Sequence, residues 1–198
     1  YFNQGARVLL NLAVLDLFKR VFELEPGRLQ TLLAVIHIPW SCKIFFGLLS
    51  DTVPFCGSHR KSYLILGAIV QIVSMILLSV FTYQSVALAA ICTFLTTASI
   101  AFCDVITDSL LVIQARKDPV NGSAYLSTFN WSCQAAGGLA GAVSAAFLTQ
   151  DNDPKVCFII YAFLGIILLF SSVQLRSEIE IEGKSRSEIE RNGRGFSH

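Results

Sequence analysis

Charge is scarce in this sequence, and much of it is crowded into one place. Only 15% of the 198 residues are Asp, Glu, Lys or Arg, against about 25% in a soluble domain. Ten of those 29 lie among the last 23 positions. The body that remains has too little polar surface to face water on all sides. Its hydrophobic fraction is 54% and the mean hydropathy +0.60, so its solvent is read as the lipid bilayer.

Other absences narrow the function. The net charge is only +1 and no basic stripe with interleaved aromatics occurs, which excludes the usual footprint of a nucleic-acid partner. The six cysteines (42, 56, 92, 103, 133 and 157) never form a C-x-x-C step, so neither a zinc site nor a disulfide framework is signalled. They read as small apolar residues. No nucleophile–base pair, phosphate loop or metal cluster stands out, and His37, His59 and His198 are isolated. Nothing calls for an enzyme, a cofactor or a metal. The chain opens on Tyr1 without a charged leader, so we read its natural N-terminus as lying upstream.

What the sequence does hold is long apolar runs. A spanning helix needs about 20 such residues, and stretches of that kind fall at 1–18, 29–50, 62–82, 86–113, 123–148 and 156–175. The intervals carry turn signals: EPG at 25–27, VPFCG at 53–57, DPVNG at 118–122 and DNDP at 151–154. The runs are continuous and do not alternate, which disfavours a barrel. The expected fold is an all-α membrane protein, with a six-helix bundle over 1–175 and a flexible charged tail over 176–198, where RSEIE occurs twice.

Basic residues set the orientation. With the first span running outward, nine Lys and Arg fall on the cytoplasmic side and four on the opposite side. Both termini are then inside. The sequons at Asn121 and Asn130 face the cytoplasm or lie within a span, so neither is expected to carry glycan.

Charges inside spans ask for a reason, since each costs roughly 2.5–3.5 kcal/mol near the bilayer centre. Arg7, Lys43, Asp104 and Asp108 are in this position; Asp16 is near enough to a span end to reach water. On a helix, Thr93, Thr97, Asp104 and Asp108 fall within a sector of roughly 60°. That polar stripe should face a water-filled cavity or the bundle interior. Two carboxylates one turn apart repel, so a single structural ion pair does not account for both, although such a pair remains the alternative.

In the second span Trp40, Lys43 and Gly47 share a face, and Pro39 is placed to kink the helix. Lys43 suits an aspartate or an anionic substrate. Trp40 is either an interfacial anchor or part of the path. His37 reads as a packed polar residue. Gly137 and Gly141 form a small-x-x-x-small step for close helix packing. Asn130, Trp131 and Gln134 line a cavity or bond between helices.

Residues 47–64, GLLSDTVPFCGSHRKSYL, place Asp51 four residues after Gly47 and Gly57 before the basic pair Arg60 and Lys61. This resembles the gating loop between helices 2 and 3 of major facilitator transporters. Its SDTVP segment is similar to the folate-biopterin transporter family, as are YFNQG (1–5), PWSCK (39–43) and DVITDSLLVIQAR (104–116). Ile44 departs from the proline that commonly follows the span-2 lysine. Family members have about twelve helices, so the chain resembles an N-terminal half, with 176–198 opening the central loop.

The resemblance implies alternating-access transport of folates or pterins, completed by a C-terminal half or a homodimer partner. It implies a site near the midplane between repeats. A pterin could stack on Trp40 and hydrogen-bond an aspartate, folate carboxylates could meet Lys43 or Arg7, and one aspartate of a coupled pair could carry a proton. Another small solute, or a half-length protein that binds a partner without transporting, is the alternative. The membrane is the plasma membrane or a plastid envelope.

Overall fold

The computed structural model describes residues 1–52, 61–115, 121–151 and 153–175, apart from the side chains of residues 51, 150 and 151. All the regular structure there is helical. The helices are α1 (Phe2–Gly5), α2 (Arg7–Asp16), α3 (Pro26–Ser41), α4 (Lys43–Thr52), α5 (Lys61–Val80), α6 (Val86–Ala115), α7 (Gly122–Asp151) and α8 (Lys155–Gln174). They make six rods, because α1 continues into α2 and α3 into α4.

Each break in a rod has a local cause. The first rod ends in a π-helical turn, Leu17–Val21, where the Phe22 amide donates to Leu17 O at 3.1 Å. Glu23 then takes a positive φ of 48°, and Pro26 starts α3 at a position where its missing N–H costs nothing. In the second rod Pro39 sits inside α3 and cannot donate to the carbonyl one turn back. The helix is interrupted three residues later, at Cys42, whose amide turns back to Pro39 O at 3.1 Å.

Among the described residues, four rods are long and apolar enough to cross a bilayer: Pro26–Ser50, Lys61–Val80, Val86–Ala115 and Lys155–Gln174. At 1.5 Å per residue, 20 residues span about 30 Å, the hydrocarbon thickness. The other two expected spans also fall on helices. Residues 1–18 are divided into short segments and carry Arg7 and Asp16; α7 has the length, but Gly, Ser, Asn and Gln dilute its apolar character.

The interior holds a large apolar cluster and a smaller one of Tyr63, Leu64, Cys103 and Ile106. Leu9, Leu10, Ala13, Val14, Leu17 and Phe18 of the first rod pack with Ile36, Met75, Leu78, Ile100, Phe158 and Tyr161. The outside is apolar as well: α5 exposes Leu66, Ile69, Val73 and Ile76, and α8 exposes Ile159, Phe163, Ile167 and Phe170. An unbroken apolar exterior of this kind is unstable in water and suited to lipid.

Glycines let the first rod and α7 touch backbone to backbone. A methyl group at Gly137 would overlap the Phe2 carbonyl, and one at Gly5 would overlap the Gln134 carbonyl. At Gly141 it would lie 3.1 Å from Ala6 O. Contacts advance in the same direction along both helices, so the two rods run parallel.

Candidate functional site

The span charges converge on the seam between the first two rods and α6. Lys43, the first residue of α4, forms a salt bridge with the Asp104 carboxylate of α6. Asp104 is 7% exposed, and the break at Cys42 sets where α4 begins and hence where Lys43 stands. Asp108, one turn on, is exposed and accepts a hydrogen bond from the Tyr1 hydroxyl at 2.9 Å. The two carboxylates share a helix face but have separate partners, one cationic and one neutral.

Trp40 lies at the centre of the cationic side. The Arg7 guanidinium carbon is 4.0 Å from its ring centroid and the Lys43 ammonium 4.3 Å. Cation–π contacts of this kind are worth more when desolvated. The ring that the sequence offered for pterin stacking is therefore in contact with two protein cations in this conformation. Arg7 makes no salt bridge among the described residues. Its Nη1 is buried without a hydrogen-bond acceptor, as is Trp40 Nε1, and Asn130 Oδ1 is a buried acceptor without a donor.

Thr93 and Thr97 are buried on the same face of α6, each 3% exposed. Their hydroxyls donate to the carbonyls one turn back, Ala89 O at 2.7 Å and Thr93 O at 2.8 Å. This leaves them as polar lining with their donors already used. His37 bonds Leu33 O through Nδ1 at 2.8 Å, within its own helix. Trp131 points outward, 67% exposed. Asp16 pairs with Arg20, which also donates to Thr149 O.

On the loop side, Gly47 brings α4 close to α6, where an added methyl would lie 3.4 Å from Val105 Cγ1. Ser50 is buried and donates to Gly47 O at 3.0 Å. Phe46, Phe102 and Tyr63 stack edge to face beside it. Lys61 opens α5. The Asp51 side chain, Gly57 and Arg60 lie outside the described residues, as does the 176–198 tail.

Two groupings have no counterpart in the sequence reading. Asn3 and Gln71 exchange amide hydrogen bonds at 3.0 and 3.3 Å, Gln71 also donates to Tyr161 O at 3.3 Å, and the Tyr161 hydroxyl donates to Asn3 O at 3.2 Å. This closed network ties the first rod to α5 and α8. A lone Gln in a 20-residue apolar helix was its one sequence signal. At the far end, the Tyr83 hydroxyl donates to Asp153, and Lys155 lies 4.3 Å over the Tyr83 ring. That clasp joins the short connections after α5 and α7.

Comparison with known proteins agrees with this architecture. The family model described as the BT1 family matches residues 4–194. The chain is 31% identical over 185 residues to the folate-biopterin transporter of Synechocystis, covering 91% of this chain and 37% of that protein. It is 29% identical over 168 residues to folate transporter 1 of Plasmodium falciparum, covering 85% and 33%. It is 25% identical over 173 residues to probable folate-biopterin transporter 4 of Arabidopsis thaliana, covering 86% and 35%. The chain thus spans about a third of the length of these curated relatives. No solved structure matches. With its apolar helices and this match along nearly the whole chain, the protein is an integral, multi-pass membrane protein that belongs to the BT1 family.

Proposed function

We propose that the chain is one bundle of a carrier that moves folates or pterins across a membrane by alternating access. The remainder of the path comes from a C-terminal half of major facilitator type, or from a second copy. The observation that carries the proposal is the polar seam of Arg7, Trp40, Lys43, Asp104 and Asp108 inside an apolar bundle. Groups so costly in lipid are retained where they meet a solute or an ion. The names of the relatives point to folate and biopterin as solutes.

In this reading Lys43 and Asp104 hold the second rod against α6 in one conformation and separate in the other. Asp108, exposed and hydrogen-bonded to the Tyr1 phenol, is the carboxylate that takes up a proton. Gly47, Asp51, Gly57, Arg60 and Lys61 form the loop that guides the rocking motion. Gly137 and Gly141 keep the first rod and α7 moving as one body.

The test is uptake of labelled folate and biopterin by the full-length protein in proteoliposomes, with and without an imposed pH gradient. Uptake of either solute by the wild type, reduced at least tenfold in Asp104→Asn and uncoupled from the gradient in Asp108→Asn, supports the reading. Absence of uptake of both solutes by the wild type contradicts it.

A further inference from the structure

Three carboxylates in or at the edge of the bundle already have partners: Lys43 takes Asp104, Tyr1 takes Asp108 and Arg20 takes Asp16. Arg7 is left with an indole for a neighbour and no carboxylate within salt-bridge distance among the described residues; the charge of Asp104 acts on it only from farther off. The ring at 4.0 Å compensates the cation's face, but Nη1 is an edge donor, buried and unmatched. Trp40 Nε1 is a second buried donor with no acceptor. The two lie close, since the guanidinium carbon is 4.0 Å from the centroid of that same indole. Native proteins rarely leave such donors unmatched, and here two are adjacent.

Resting on the transport reading above, we infer that Arg7 and Trp40 form the subsite for a carboxylate of the transported molecule. The complementary group must supply acceptors to an N–H of each residue and a negative charge to a guanidinium that no described carboxylate reaches as a salt bridge. A carboxylate does both, and matches the planar fork of Arg as it does not match an ammonium. Lys43, already neutralised by Asp104, is the poorer candidate. The subsite therefore reads the acidic tail of a folate and not its pterin ring. Biopterin, which has the ring and no carboxylate, leaves it empty.

The experiment compares half-saturating concentrations for folate and biopterin in the full-length carrier, at matched membrane levels, for wild type, Arg7→Lys, Arg7→Gln and Trp40→Phe. Phenylalanine keeps an aromatic face under Arg7 while removing the N–H together with the second ring of the indole. The expected result is a folate-to-biopterin affinity ratio that falls at least tenfold in Arg7→Gln, partly recovers in Arg7→Lys, and falls about threefold in Trp40→Phe. An unchanged ratio in Arg7→Gln, with both affinities lost together or neither altered, overturns the subsite while leaving the transport reading standing. A wild type that carries neither solute overturns the transport reading itself.

Discussion

Lys43 and Asp104 lie 61 positions apart in the chain and meet as an ion pair between α4 and α6. The Asp104 side chain is 10% exposed and that of Lys43 33%. The carboxylate is the more buried of the two, so Asp104 depends on its partner more than Lys43 does. Removing one member of a buried pair strands the other and costs about 3–5 kcal/mol; the exposure of Lys43 reduces this to roughly 2 kcal/mol.

It follows that Lys43→Met lowers the thermal midpoint of the purified carrier more than Asp108→Asn does. The first strands a buried carboxylate, whereas the second removes an exposed one bonded only to a phenol. At roughly 2–4 °C per kcal/mol, the Lys43 variant should melt about 4–8 °C lower. The double variant Lys43→Met with Asp104→Leu should recover most of that loss, because the desolvation cost disappears with the charges. Thermal unfolding in detergent checks all three.

The glycines of α7 provide a graded series. Alanine at Gly137 overlaps the Phe2 backbone, alanine at Gly141 meets Ala6 O at 3.1 Å, and alanine at Gly138 finds its nearest neighbour 3.8 Å away. Backbone cannot swing aside as a side chain can, so overpacking at Gly137 should cost about 1–3 kcal/mol. Gly141→Ala should cost less, and Gly138→Ala should be neutral or stabilising by up to about 1 kcal/mol from helix propensity. The order of the three thermal midpoints is the readout.

Tyr83, in the connection between α5 and α6, has its hydroxyl pushed up to about 12, chiefly by the hydrogen bond to Asp153. Its unfolded value is about 10. A raised pKa means that the folded state holds the proton more tightly. The clasp's contribution to stability is therefore complete below pH about 10 and lost as pH rises through about 12. In a phenolate absorbance titration, Tyr83→Phe should remove a tyrosine that ionises near 12, and Asp153→Asn should return it towards 10.

Four of the rods were legible because each is a long apolar run, and lipid demands that the backbone bond to itself. Pro39 announced a break but not its place; the chain keeps turning until Cys42, where an amide can reach Pro39 O. Asp104 and Lys43 were visible as charges out of place, since cost at a position needs no knowledge of contacts. Their pairing was not. Asn3 with Gln71, and Tyr161 with Asn3, join residues 68 and 158 positions apart, and no local pattern encodes such a distance. The orphaned donors on Arg7 and Trp40 were hidden for the same reason: an unmatched group is defined by what surrounds it in space. Thr97 was placed on the correct face by periodicity, yet its hydroxyl is taken up by Thr93 O, a bond that side-chain rotation decides.

In the transport proposal the Lys43–Asp104 seam belongs to the transport path and does more than hold helices together. Folate uptake by the Lys43→Met, Asp104→Leu double variant of the full-length carrier, at wild-type membrane levels and thermal midpoint, tests it most directly. The expected result is uptake below a tenth of wild type, from a protein whose fold no longer needs the pair. Wild-type uptake by that variant would contradict it and reduce the pair to a structural tie.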